Sequence, residues 1–206
     1  MSDTTPFTGE PLALDLVNTR PSSGDLLTTA EQLRSWLALQ ADRLPEGDGA
    51  EVTLSDLEAV REVRDATATV LARVRSGARP PESALAALNR AQRTAPGTLR
   101  LDWDGTAVTA VLRRTGGTPG QWIAARLAES AAVLIAGPDL QRVRVCEAPD
   151  CVLLFLAANP RRRWCSATRC GNRTRVARHY QRHKHHQDQD DRDRAPAPST
   201  ESDARP

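Results

Sequence analysis

All four cysteines of this 206-residue chain lie in one short stretch, and their spacing constrains the fold more than any other feature. They form two pairs with four residues inside each pair and thirteen residues between the pairs: Cys146, Cys151, Cys165 and Cys170. Two turns that each supply two thiolates are a common way to build a tetrahedral Zn²⁺ site. Two disulfides or free core thiols are the alternatives. We predict a structural zinc site, because four thiolates leave no coordination position open for catalysis.

The N-terminus bears on the choice between zinc and disulfides. The first ten residues show neither the basic nor the apolar region of a signal peptide. No apolar run approaches the length that crosses a membrane. We therefore expect a cytoplasmic chain without a membrane partner, where thiols stay reduced and paired cysteines more often bind metal.

Positive charge is concentrated around the cysteines. Residues 142–186 carry ten arginines and one lysine against two acidic residues, whereas residues 1–141 carry 14 arginines against 18 acidic residues. A basic module on an acidic body is typical of nucleic-acid-binding proteins, although arginines can also simply keep a small metal module soluble. The residues predicted to contact nucleic acid are Arg161, Arg162, Arg163, Asn172, Arg173, Arg175, Arg178 and Arg182. Their charge supports contact with phosphates, and no residue supports the reading of a particular base sequence.

Two motifs carry a resemblance to a known family. Residues 162–173 read RRWCSATRCGNR and resemble the CGNR zinc finger, which is named after the tetrapeptide at 170–173. Residues 12–19 read LALDLVNT and resemble the opening of the ABATE domain, which precedes this finger in the same family. The resemblance implies a bacterial transcriptional regulator whose finger binds DNA. One departure is that Ala157 stands where the family usually has an aspartate after the aromatic residue, here Phe155.

The remaining pattern predicts an α+β, mainly helical fold. We expect an N-terminal helical domain over 7–140 with a β-hairpin near 98–113, a zinc finger ending in a basic helix over 141–186, and a disordered tail over 187–206. Capping boxes at Thr28–Glu31 and Thr53–Asp56 begin two helices, and the outer face of the second, including Arg64, is expected to be solvated. Asp104-Gly105 is a strong hairpin signal. A lone hairpin is only marginally stable, so we expect it to pack on the helices.

Several polar residues have two interpretations. Residues 12–19 are too short for periodicity to decide, and we favour a short helix that ends near Asn18. Asp15 and Asn18 are candidate ligand-binding residues, but Asx side chains also bond neighbouring backbone at turns. The four histidines at 179, 183, 185 and 186 suggest either a second metal site or solvated residues at a helix end.

Three functions are compatible with these features. The first is a DNA-binding transcriptional regulator, located at the nucleoid, whose N-terminal domain senses a small molecule or forms a homodimer. The second is a zinc-stabilised protein–protein interaction module that docks its basic helix on an acidic partner. An enzyme is not expected, because residues 1–141 contain neither histidine nor cysteine and the chain has no Gly-rich phosphate loop or nucleophile motif.

Overall fold

The computed structural model describes residues 6–44, 51–177 and 180. The chain divides between Cys165 and Ser166 into two compact units. The tail predicted over 187–206 lies outside the described residues. Domain boundaries at 140 and 186 remain a prediction.

The first unit is built on α-helices that enclose a core of leucine, valine and alanine. Within the described residues these helices are α1 (Leu12–Val17), α2 (Ala30–Ala38), α3 (Leu54–Arg75), α4 (Glu82–Thr94) and α5 (Pro119–Ala136). Helix α5 packs against α1, α3 and α4. Trp36 is fully buried in this core, as expected for a core residue. The predicted α+β, mainly helical class is confirmed.

Side-chain caps begin helices α2, α3 and α5. Thr53 and Asp56 form the capping box predicted for α3. The box predicted at Thr28–Glu31 was wrong by one residue, because Thr29 and Gln32 cap α2. The Gln32 amide oxygen also accepts bonds from the backbone and hydroxyl of Thr28, so Thr28 belongs to the same cap without starting the helix. Each cap satisfies amide groups that have no partner inside the helix.

The expectation that Arg64 faces solvent was wrong. Its side chain is 1% exposed and forms a two-pronged ion pair with Asp25 at 2.7 and 2.8 Å. Burial by itself raises the pKa of Asp25, but hydrogen bonds from Arg64 and the Leu27 amide, with the charges of Arg64 and Arg61, lower that pKa below its usual value. This pair ties the loop before α2 to the middle of α3.

Strands β1 (Gly97–Trp103) and β2 (Val108–Arg114) form the predicted antiparallel hairpin. Its turn is closed by the Asp104 carboxylate, which accepts hydrogen bonds from the amides of Thr106 and Ala107 at 2.8 and 2.9 Å. Gly105 has a φ of 103°, a left-handed conformation that favours glycine. The expected packing on the helices is seen at the base of the hairpin, where the 3% exposed Arg114 side chain bonds the Ala95 carbonyl and Glu129 of α5. Away from the base, every residue of β1 except Asp102 is exposed.

A second, shorter hairpin follows α5 and a 3₁₀ turn at Pro138–Arg142. Strands β3 (Val143–Val145) and β4 (Leu154–Leu156) pair antiparallel. Val143 and Leu154 belong to the same hydrophobic core as the helices. The short hairpin is therefore part of the first compact unit.

The second unit begins with a π-helical turn over Ala167–Gly171, and residues 172–177 continue as α-helix. The predicted basic helix after the fourth cysteine is thus present as far as the description extends. Among the described helices of both units, none combines the length and hydropathy needed to span a membrane.

Candidate metal centre and its supporting side chains

The four predicted cysteines come together in space. Their sulfur atoms all lie within 4.8 Å of one another, and the Cys151 and Cys165 sulfurs are 4.0 Å apart. None of the four is in a disulfide, whose sulfurs would be only about 2 Å apart. Around a tetrahedral ion with metal–sulfur bonds of about 2.3 Å, sulfurs would lie about 3.8 Å apart. The donor set therefore fits one divalent ion held by sulfur alone.

The loop between β3 and β4 supplies the first pair of thiols. The Cys146 amide donates to the Leu153 carbonyl at 2.9 Å, and the Cys151 amide donates to the Ala148 carbonyl at 3.2 Å. The Cys165 amide donates to the Cys146 sulfur at 3.3 Å. Burial raises the pKa of the Cys146 thiol, but amide bonds from Cys165 and Ala148 lower it, and its net shift is downward. The turn therefore favours the thiolate form that binds metal.

The second unit positions the fourth thiol. The Ser166 carbonyl accepts the amides of Cys170 and Gly171 at 3.1 and 3.0 Å, and the Ser166 hydroxyl accepts the Arg169 amide at 3.2 Å. The Arg173 guanidinium lies 3.7 Å from the Cys170 sulfur. Four thiolates and one divalent ion would carry a net charge of about −2. A guanidinium at this distance partly offsets that charge, which gives the last residue of the CGNR motif a structural role.

Arg162 was predicted to contact nucleic acid, but its side chain turns inward. The guanidinium donates to Glu10 at 2.6 Å, to the Leu156 carbonyl at 3.0 Å and to the Trp164 carbonyl at 3.1 Å, and it also reaches the Cys165 carbonyl. Its charged carbon lies 4.5 Å from the centre of the Phe155 ring. Arginine suits such a site because its fork of donors can satisfy several acceptors at once. Arg162 thus connects the N-terminus, β4 and the third cysteine within the first unit.

Asp15 and Asn18 are occupied by bonds inside the first unit. Asp15 is fully buried, accepts the amides of Gly9 and Glu10 at 3.0 Å, and pairs with Arg43. The Asn18 side chain makes two 2.8 Å bonds with the backbone of Leu154, one to its amide and one to its carbonyl. Asp15 bonds backbone close in sequence, as the turn interpretation expected, whereas the backbone that Asn18 bonds is 136 residues away.

The other predicted nucleic-acid contacts have different environments. Arg161 is exposed, whereas Arg163 pairs with Glu147 at 2.5 Å and lies 5.2 Å from the centre of the Trp164 ring. In the second unit, the exposed residues at the start of the basic helix are Asn172, Arg173 and Arg175. The calls that fall outside the described residues are Arg178, Arg182 and the histidines at 179, 183, 185 and 186.

Sequence reasoning missed two supporting residues. Glu10 accepts bonds from the Leu156 amide at 2.7 Å and from Arg162. Arg75, at the end of α3, donates to the Val143 carbonyl at 3.2 Å. Both partners are more than sixty residues away in sequence, so no local pattern could have identified them. The only available signal for Glu10 was its position just before the LALDLVNT motif.

These features define a class of protein in which a helical domain holds a short hairpin whose loop supplies two of four clustered cysteines. Comparison with known families then places the chain within that class. The family model for ABATE, described as a "putative stress-induced transcription regulator", matches residues 10–138, and the model for the CGNR zinc finger matches residues 142–183. The chain belongs to the ABATE family and carries a CGNR zinc finger. No curated protein matches it.

Proposed function

We propose that the chain is a zinc-dependent, DNA-binding transcriptional regulator. The observation that carries the proposal is a four-thiol site with exposed arginines on the chain beside it. Zinc is the metal proposed because it prefers tetrahedral sulfur coordination and needs no redox partner. A site closed by four thiolates supports structure, so we propose no catalytic role. Binding to DNA would place the protein at the nucleoid in the cytoplasm.

Two short segments supply the proposed phosphate contacts. In the first unit this is Arg161, whose exposed side chain makes no ion pair with any described residue. In the second unit the exposed side chains of Asn172, Arg173 and Arg175 open the helix that follows Cys170. Arginine side chains favour phosphate oxygens. Arg162 is left out of this set because its guanidinium bonds acceptors inside the first unit.

A mobility-shift titration of the zinc-loaded chain on duplex DNA across a salt series tests this function. The logarithm of affinity should fall linearly with the logarithm of salt, by about 0.9 for each phosphate contact. Arg175→Ala should weaken binding and reduce that slope by about one, while the zinc content stays at one per chain. A matched control is Arg79→Ala, because Arg79 is exposed, lies in the loop before α4 and is far in sequence from the four cysteines.

The two variants also separate the alternative function. If the zinc-loaded chain shows no salt-dependent affinity for duplex DNA, the regulator proposal fails and an interaction module for an acidic protein replaces it. Equal loss of binding in Arg175→Ala and Arg79→Ala would contradict the proposed contact site, because total charge would then matter more than its position.

A further inference from the structure

The long hairpin presents an apolar face to solvent. The register places Leu99 opposite Leu112, Leu101 opposite Ala110 and Trp103 opposite Val108, so these six side chains share one face. We call these six residues the hairpin face. Four of them are 65–71% exposed: Leu99, Leu101, Trp103 and Val108.

The opposite face of the same hairpin is mostly polar, with Val111 as its apolar residue, and its charges are paired. Asp102 bridges Arg100 at 3.2 Å and Arg113 at 3.9 Å. A two-stranded sheet normally buries its apolar side and solvates its polar side. Here Leu99 and Leu101 of the apolar side are as exposed as Arg100 of the polar side, so the apolar side lacks the cover that such a sheet normally has.

The printed residues outside the description offer little apolar cover. They contain no leucine, isoleucine, valine, phenylalanine or tryptophan, and Met1 is their only large apolar residue. Such polar segments would bury little surface against leucine and tryptophan. Another molecule is therefore the more suitable cover.

We propose that the hairpin face is a dimerisation surface and that its occupant is the same face of a second copy of this chain. A two-fold axis places one patch on itself, which requires a self-complementary surface. The hairpin face meets this requirement because it is apolar throughout and carries no charge. Trp103 supplies the large aromatic anchor that is typical of the centre of an interface.

The exposed area is sufficient for such a dimer. The four exposed side chains leave roughly 500 Å² of apolar surface per copy, near the top of the range for the largest patch on a monomer. Two copies would bury about 1,000 Å², which is the least expected of a biological interface. This inference rests on the proposed function insofar as the N-terminal domain was expected to dimerise, and a dimer would bring two basic segments to one DNA duplex.

Sedimentation equilibrium of the zinc-loaded full chain tests the proposal directly. The wild type should have the mass of two chains at micromolar concentration. Leu101→Arg should raise the dimer dissociation constant at least tenfold, because the charge would be buried against apolar partners. The fold should be unchanged, since Leu101 is 71% exposed in the single chain. The matched control is Val133→Arg, on α5, where the valine is 75% exposed and outside the hairpin face.

The outcomes separate this proposal from DNA binding. A wild type that sediments as a single chain overturns the dimer proposal. The proposal also fails if Leu101→Arg and Val133→Arg both leave the dimer intact, or if both disrupt it. Circular dichroism of Leu101→Arg and a second variant, Leu99→Arg, should match the wild type, and loss of folding in both would show that the face is internal packing. Duplex binding is measured separately, so a dimer that does not bind DNA contradicts only the regulator proposal.

Discussion

The described residues form two antiparallel hairpins, and the longer of the two is the more exposed. The β1–β2 hairpin has strands of seven residues, yet most of its side chains are exposed. The β3–β4 hairpin has strands of three residues, yet Val143, Leu154 and Phe155 are buried. Strand length therefore does not determine which hairpin is integrated into the fold.

The difference lies in where each hairpin finds its bonds. The long hairpin depends on its own register, its Asp104 turn, and Arg114, which bonds the Ala95 carbonyl and Glu129 at the base. The short hairpin is held by residues distant in sequence, chiefly Asn18 and Glu10, and by the thiols at its loop. A three-residue hairpin would not persist alone in water. It forms here because side-chain bonds from Asn18 and Glu10 and core packing act together beside the clustered thiols.

Metal removal is expected to have the largest effect and to distinguish the two hairpins. Structural zinc sites contribute about 10–16 kcal/mol in isolated finger peptides. A strong chelator should therefore accelerate hydrogen exchange of the Leu154 and Leu156 amides by at least a hundredfold. The Leu99 and Leu101 amides should keep their exchange rates, because their hairpin contains no thiol. Equal acceleration in both hairpins would contradict this difference in support.

Replacing Arg162 should have the next largest effect. Arg162→Ala leaves the 7% exposed Glu10 side chain without its cation. Because the Arg162 side chain is 29% exposed, we expect a loss of unfolding free energy below the roughly 3–5 kcal/mol that is typical of a fully buried pair. The neighbouring Arg161→Ala should change it by no more than about 0.5 kcal/mol, because that side chain is exposed. Chemical denaturation of the zinc-loaded proteins measures both. Equal values would show that Arg162 does not support the hairpin.

Replacing Asn18 should have the third largest effect. It leaves the buried amide and carbonyl of Leu154 without partners, at about 1–3 kcal/mol each before water enters. We expect a loss of about 2–4 kcal/mol in the free energy of unfolding. Asn89→Ala, on the exposed side of α4, is the matched control and should be neutral within about 0.5 kcal/mol. A neutral Asn18→Ala would mean that α1 does not hold β4.

The smallest effect is a pH dependence confined to the long hairpin. Amide bonds from Ala107 and Thr106 lower the pKa of Asp104 below its usual value of 3.8. Because the folded pKa is depressed, the carboxylate stabilises the turn above the unfolded pKa, and that contribution is lost as pH falls through the folded pKa. NMR shifts of the Thr106 and Ala107 amides should titrate below pH 3.8, and Asp104→Asn should abolish that titration. A titration that survives in Asp104→Asn would assign it to another group.

Local sequence patterns predicted much of this fold, but they could not predict pairings between residues far apart in sequence. Cysteine spacing predicted the thiol cluster, and Asp104-Gly105 predicted the long hairpin, because each depends on residues close in sequence. The inward turn of Arg162 depends on Glu10, 152 residues away, and the burial of Arg64 depends on Asp25, 39 residues away. An arginine has the same local signature whether its partner is phosphate, water or a buried carboxylate. Composition therefore located the cluster of arginines but could not show that Arg162 bonds Glu10 and backbone carbonyls.

Cobalt substitution tests the central claim that one ion is held by four thiolates. The reduced, metal-free chain should bind one Co²⁺ per molecule and develop the intense visible absorption of a tetrahedral thiolate complex, which Zn²⁺ then displaces. Replacing any one cysteine by serine should weaken that absorption and the binding. Weak octahedral absorption, a stoichiometry other than one, or unchanged spectra in all four serine variants would contradict the claim.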